Sequence, residues 1–207
     1  MDKAIYKISV GFSIYGFLNL ILYVVLRCFG VVDFKLAAYA SFVLFSIAIW
    51  APWLLHIYFK VEFPKYVIYI YSIFIAATTI FGNVWDAYSF VPYYDKFIHF
   101  GSGIMIPLIF ICMFNSRKAN HLTPFWLFLF ALACAVSVGA MWEICEYVFD
   151  GIFETNSQNA IGESGRGALF DSMLDLICDT LGGIIGASRV VAIQHSKLKE
   201  GELKTIF

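Results

Sequence analysis

Residues 8–26 read ISVGFSIYGFLNLILYVVL, with Lys3 and Lys7 before them and Arg27 directly after. A basic start followed by an apolar run is also how a secretory signal opens. Here, however, the run continues to Leu26 and ends in arginine with no small-residue cleavage site, so it reads as an uncleaved first membrane span. A bilayer core of about 30 Å takes roughly 20 apolar residues as helix, and this segment meets that requirement.

The same reading extends along the chain. Six segments qualify as spans: 8–29, 36–59, 66–85, 93–114, 124–149 and 168–192. The fourth and sixth carry polar residues in their first turns. The sequence is 61% hydrophobic and only 14% charged, with a mean hydropathy of +0.79. Soluble domains run at about 45–50% apolar and about 25% charged, so a soluble fold would leave too much apolar surface wet. The fold class is therefore all-α integral membrane, a bundle of about six transmembrane helices. It forms a single polytopic domain over 1–207 that ends in a tail at 193–207. A net charge of −1 argues against a nucleic-acid partner. The five cysteines are scattered with no CxxC pair, and read as small core residues. Residues 151–167 (GIFETNSQNAIGESGRG) have the Gly/Ser/Asn content of a flexible connection.

Six spans place both termini on one side. That side takes Lys3, Lys7, Lys60, Lys65, Arg117, Lys118, Arg189, Lys197, Lys199 and Lys204, while Arg27, Lys35, Lys96 and Arg166 fall on the other. The positive-inside rule then puts both termini in the cytoplasm. Trp50, Trp53 and Trp126 fall toward the inner interface, and Trp85 and Trp142 toward the outer one.

On this topology the intramembrane charges gather at the outer face. Asp86 closes span three, and Asp95 and His99 open span four. Glu143, Glu146 and Asp150 close span five, and Asp171, Asp175 and Asp179 open span six. These are eight of the chain's 15 acidic residues. Positions four apart on a helix drift by only about 40°. Asp171, Asp175 and Asp179 therefore form one stripe, and Asp95, His99 and Ser102 share a face. Glu143, Glu146 and Asp150 do so on span five, as do Thr79, Asn83 and Asp86 on span three. Ionisable groups in lipid face the bundle interior and are functional candidates by default.

Carboxylates this close must hold protons or be neutralised by cations, and Lys96 and Arg166 are the only basic residues nearby. A bound divalent metal is the simplest remaining answer. Oxygen-rich ligands with one imidazole suit Mg²⁺, Mn²⁺ or Ca²⁺ over a thiolate-type metal, with Zn²⁺ as a further option. Plainer roles stand beside this one. His99 can be a hydrogen-bonded packing residue, and Asp150 a solvated interfacial charge. Asp95 and Asp171 can be helix-start acids favoured by the macrodipole. Gly182 and Gly186 read as a small-xxx-small packing face, and Thr79 and Asn83 as interhelical hydrogen-bonders. Asp175, Asp179, Glu143 and Glu146 lie deeper, where the functional reading leads.

Three motifs carry a resemblance: Tyr94-Asp95-Lys96-Phe97-Ile98-His99, Glu143-x-x-Glu146, and Asp175-Leu-Ile-Cys-Asp179-Thr-Leu-Gly182 with Gly186. Over residues 93–188 the chain resembles the VanZ-like membrane proteins, and most closely their uncharacterised YjdF-like branch. That pattern has DK-x-x-H opening one span, E-x-x-Q closing another and D-x-x-x-N-T-x-G opening the last. Asp95, Lys96, His99, Glu143, Asp175, Thr180 and Gly182 match it. Glu146 stands where it has Gln and Asp179 where it has Asn, which makes this site more acidic. The resemblance implies a bacterial cytoplasmic membrane, a cell-envelope role and an association with glycopeptide resistance. It implies a fold and a site but no agreed reaction.

Three functions compete. The first is a metal-dependent hydrolase or transferase acting on a lipid-borne or cell-envelope substrate. Asp95, His99, Glu143, Glu146, Asp175 and Asp179 would hold the metal, and His99, Glu143 and Asp175 would carry the chemistry. Residues 151–167 would form a lid, with Arg166, Lys96 and Asp171 meeting the substrate. The second is a non-enzymatic lipid-binding or scaffold protein with a structural cation. The third, a proton- or cation-coupled transporter, needs a polar route across the membrane. Below the acidic cluster the spans carry mainly Gly, Ile, Ala and Phe, and there is no internal repeat. The expected order is enzyme, binder, transporter.

Overall fold

The computed structural model describes residues 2–33, 35–115 and 122–204. Arg117 and Lys118 of the basic tally lie outside the described residues, as do the side chains of Lys197, Lys199 and Lys204. Among the described residues, six helices are long and apolar enough to cross a membrane: Lys3–Cys28, Ala38–Phe59, Lys65–Val84, Tyr94–Met113, Pro124–Phe153 and Phe170–Ser196. Their bounds shift by a few residues from those expected. Large apolar side chains such as Phe17, Ile47 and Phe149 lie exposed along them. On a soluble protein that surface would mark an interface, and on a spanning helix it is the face that lipid requires. Of the cysteines only Cys112 is buried, while Cys28 and Cys145 are exposed; all five are free thiols.

By packing, the chain divides into two compact units, Met1–Tyr94 and Asp95–Phe207. The first unit holds α1 (Asp2–Cys28), α2 (Leu36–Ala48), α3 (Ala51–Phe59), α4 (Lys65–Ala76), a π-helical segment (Ala77–Val84) and α5 (Ala87–Phe90). Its core joins Tyr23, Phe42, Phe45, Ile49, Ala76 and Ile80. Pro52 accounts for the break between α2 and α3, since it has no N–H to give the Ala48 carbonyl. The Tyr71 hydroxyl donates to that carbonyl instead, at 2.9 Å.

The π-helical segment revises the stripe expected on span three. The Thr79 hydroxyl donates to Ile75 O at 2.5 Å, and Thr78 to Phe74 O and Ile75 O at 3.2 and 3.1 Å. Such back-bonding competes with the α-helical ladder and loosens it. The Tyr94 hydroxyl completes Ala77 O at 2.9 Å. Asn83 likewise turns to its own helix, at Thr78 O, 3.4 Å away. Thr79 and Asn83 thus serve their own helix rather than a neighbour. Asp86 follows with a left-handed φ of 63° and accepts from Lys35 at 2.6 Å and Ser89 at 2.9 Å. The Lys35 ammonium holds its carboxyl below the usual carboxylate range.

The second unit holds α6 (Tyr94–Asn115), α7 (Pro124–Phe153) and α8 (Arg166–Lys204). Thr123 caps α7, accepting from Trp126 N at 3.5 Å, with Pro124 in the first turn. Helix α8 runs on to Lys204, so most of the tail expected at 193–207 extends the sixth span as helix. Small residues let the three helices close. A Cβ at Gly182 would strike Phe100 O, and one at Gly186 would strike Ile104 O and Pro107. Gly183 faces Ala135 and Leu132 of α7. The small-xxx-small face read at Gly182 and Gly186 is therefore a backbone contact between α8 and α6.

Candidate functional site

In the second unit the start of α6, the end of α7 and the start of α8 meet at one end. His99 is the hub. It lies one helical turn after Asp95 on α6 and is only 4% exposed. Its Nδ1 sits 2.9 Å from Asp179 Oδ2, and the other Asp179 oxygen accepts from Ser102 Oγ at 2.6 Å. Asp179 reaches this position because residue 139 is glycine; any Cβ there would overlap its carboxylate. In the neutral imidazole, with Nδ1–H committed to Asp179, the lone pair of His99 is on Nε2.

Around that Nε2 lie three carboxylate oxygens: Asp95 Oδ1 at 3.7 Å, Glu143 Oε1 at 3.8 Å and Asp175 Oδ1 at 3.9 Å. All three are too far for a hydrogen bond. Two ligands bound about 2.0–2.4 Å from one ion at tetrahedral angles stand about 3.3–3.9 Å apart, which is the spacing seen. Asp95, His99 and Asp175 present ligand atoms that all lie within 4.8 Å of one another. Both Glu143 oxygens and Asp175 Oδ1 are buried with no hydrogen-bond partner among the described residues. A buried, unpaired carboxylate oxygen is costly; a cation held by Asp95, His99 and Asp175 would satisfy Asp175 Oδ1, with Glu143 beside that group of three.

The remaining charge is arranged behind this ring. Lys96 Nζ donates to Asp95 Oδ2 at 3.1 Å, to Asp175 Oδ2 at 2.7 Å, and to Asp171 Oδ1. Its three N–H donors are all directed at carboxylates. Asp171 also accepts from Asn159 Nδ2 at 2.8 Å. Glu146 is not among the oxygens around Nε2: it accepts from Trp142 Nε1 of its own helix at 2.8 Å, close enough to Glu143, Asp95 and His99 to feel their charges. Arg166 opens α8 with its side chain exposed. Of the ring, Asp95 has the most accessible side chain at 28%, against 7% for Glu143 and 1% for Asp175, so the site opens on the Asp95 side.

The connection from α7 to α8 is shorter and better held than its composition implied. It spans 154–165, because α7 continues to Phe153 and α8 begins at Arg166. Asp150 accepts from Thr155 Oγ1 at 2.6 Å, Ser157 N at 2.8 Å and Gln158 N at 3.0 Å. Gln158 Nε2 then donates to Glu143 O at 3.3 Å and Ser172 Oγ at 3.0 Å, pinning the loop to both helices. Asp150 is thus a loop anchor rather than a free interfacial charge. Gln158, Asn159 and Gly139 escaped the sequence reading. The only trace of the first two was the polar run NSQN, and of the third, its place one turn before Glu143.

No solved structure matches the chain. An uncharacterised protein of Thermotoga maritima is 24% identical over 160 residues, covering 74% of this chain and 77% of the relative. A family model described as "Predicted membrane protein (DUF2238)" matches residues 14–197. With that match over most of its length, and with six helices fit to span, the chain is a multi-pass membrane protein that belongs to this family.

Proposed function

We propose that the protein is a divalent-metal-dependent membrane hydrolase or transferase, acting on a lipid-borne or cell-envelope substrate from the outer leaflet. One observation carries the metal: His99 Nε2 faces three carboxylate oxygens at 3.7–3.9 Å, two of which are buried without a hydrogen-bond partner. Asp95, His99, Glu143 and Asp175 would hold the ion. Asp179 orients His99 as the outer carboxylate of a carboxylate–histidine–metal arrangement. Three oxygens and one imidazole suit Mn²⁺, Mg²⁺ or Ca²⁺, and the tetrahedral spacing around His99 suits Zn²⁺ as well.

A bound ion would polarise a carbonyl or phosphoryl oxygen and acidify a water or hydroxyl nucleophile. The chain's own groups supply the rest. Glu143 keeps Oε2 free of hydrogen bonds at the cluster, where it can accept the nucleophile's proton. The 154–165 loop walls off one side, and the Asp95 side stays open to the substrate. Arg166 lies at the loop's end, available to an anionic head group. The VanZ-like pattern supports the cell-envelope setting, and the positive-inside asymmetry supports the outward-facing site.

Transport is the weaker alternative. On the side of the site away from the loop, Gly182 and Gly186 bring the backbones of α6 and α8 into contact, leaving no room between these two helices for a hydrated path. A purely structural cation remains the rival, because Asp175 and Asp179 have no exposed surface. The test is to incubate protein in nanodiscs with Mn²⁺ and a bacterial membrane lipid extract, then follow the lipids by mass spectrometry. Wild type should bind the ion and convert a lipid species, whereas Asp175→Asn should do neither. Metal-free wild type indifferent to chelator would overturn the centre. Bound metal without any conversion would assign it to structure.

A further inference from the structure

Asp95 and Asp175 each divide their two oxygens between two positions. Oδ1 of each faces His99 Nε2, at 3.7 and 3.9 Å, while Oδ2 of each faces Lys96 Nζ, at 3.1 and 2.7 Å. Asp171 gives Lys96 a third oxygen and turns its other one to Asn159 at 2.8 Å. The Lys96 side chain is only 13% exposed, so its ammonium exchanges nearly all its water for these three oxygens. Carboxylates that turn one oxygen to each of two positions are how centres with two cations are bridged, the ions standing about 3.5–4 Å apart in two-metal enzymes. The bridging has a purpose only if both positions carry positive charge. The far position holds no permanent cation: Asp175 Oδ1 and both oxygens of Glu143 are buried with no hydrogen-bond partner among the described residues, so the charge there comes from His99 as imidazolium or from a bound ion.

We infer that the Lys96 ammonium fills the second cation seat of a two-cation centre, as a resident group where related chemistry would place a second metal ion. The inference rests on the metal reading above and deepens it: the centre takes one divalent ion because Lys96 already holds the other seat. Emptied of the ammonium, the seat offers oxygens from Asp95, Asp171 and Asp175, a donor set suited to a hard divalent cation. Lys96 is accordingly a positioning residue. Its three donors are spent on carboxylates, and it acts on a substrate only through the ion they share.

Counting Mn²⁺ per chain in nanodisc-embedded protein tests this. Wild type, Lys96→Ala and Lys96→Met are each equilibrated with Mn²⁺, freed of excess ion and measured by elemental analysis. Lys96→Ala, which vacates the seat, should bind one ion more than wild type. Lys96→Met fills the volume without the charge and should bind no extra ion. Melting of Lys96→Ala should also recover toward the wild-type temperature as Mn²⁺ is raised, with that of Lys96→Met recovering less. An Ala variant that binds no more Mn²⁺ than wild type overturns the inference. So does one that cannot be recovered folded even in millimolar Mn²⁺, because the ion should replace the ammonium. A wild-type count of one supports the metal reading and a count of zero removes it. With wild type at zero, an Ala variant that gains one ion still upholds the Lys96 seat, and one that gains none removes both.

Discussion

Asp179→Asn separates an orienting role from a ligating one. The carboxylate has no exposed surface, and accepts from His99 Nδ1 at 2.9 Å and Ser102 Oγ at 2.6 Å. Asparagine has nearly the same shape but only one oxygen. With that oxygen kept on His99, its NH₂ faces Ser102 Oγ, which can accept. The Ser102 hydroxyl then turns its one hydrogen to His99 O, 2.8 Å away, so both existing contacts of residue 179 keep a partner. The loss is the charge on the His99 bond. Bonds to charged groups are worth about 1.5–3 kcal/mol against about 0.5–1.5 for neutral ones, so the metal-free protein should lose about 1 kcal/mol. Metal affinity should fall about 10–100-fold, the usual effect of altering an outer-shell partner, or about 1.4–2.7 kcal/mol. Mn²⁺ titration of the purified variant, with thermal unfolding in chelator alongside, reads both quantities. Unchanged affinity in a folded variant would refute the argument that Asp179 works through His99. Complete loss of binding would refute it differently, by making Asp179 a ligand, as the acidic stripe alone had implied.

Two further outcomes are expected. With the five native cysteines replaced, cysteine introduced at Ser164 should react with a membrane-impermeant thiol reagent on intact cells, and cysteine at Ser196 should react only after permeabilisation; the opposite pattern would reverse the orientation drawn from the basic residues. The Lys35–Asp86 pair holds the Asp86 carboxyl below its unfolded value, so its contribution is present at neutral pH and lost as pH falls through the folded-state value. Both side chains are nearly half exposed, so that contribution is at most about 1 kcal/mol. Lys35→Met should therefore destabilise slightly at pH 6, and progressively less as the pH falls below the ordinary carboxylate range, in unfolding measurements; a pH-independent difference would discount the pair.

The spans were legible because lipid imposes one requirement on every residue of a segment. Twenty consecutive apolar residues satisfy it whatever their neighbours are. What hydropathy could not reveal were the places where the helix ladder yields. Pro52 marks one, but that the Ala48 carbonyl would take the Tyr71 hydroxyl depends on a contact 23 residues away. The π-helical turn at Ala77–Val84 was hidden for a similar reason. A stripe of Thr79, Asn83 and Asp86 is drawn on the assumption of α-helical spacing, and the hydroxyls that form the stripe are the groups that undo it. The division into two units was likewise out of reach, since both halves carry the same apolar signal.

The candidate site was legible as a set of residues and not as a set of roles. Spacing of three and four places Asp95 with His99, and Asp171 with Asp175 and Asp179, on single helix faces. It says nothing of which oxygen of each carboxylate points where. That detail divides the cluster. Asp175 spans the ring and Lys96, Asp171 serves Lys96 and the loop, and Asp179 turns its whole carboxylate to His99 and Ser102. Glu146 shows the limit most plainly. One turn from Glu143 on the same helix, it would join the ring by periodicity alone. A Trp142 indole one turn back draws it aside, leaving Glu143 as the α7 group that faces His99. The departures from the VanZ-like pattern then differ in meaning. At 146 the extra carboxylate lies outside the ring, where an amide would serve Trp142 equally well as acceptor. At 179 it sits beneath the imidazole, where its charge acts on whatever His99 Nε2 binds. Of the two, position 179 is the one that touches His99 directly.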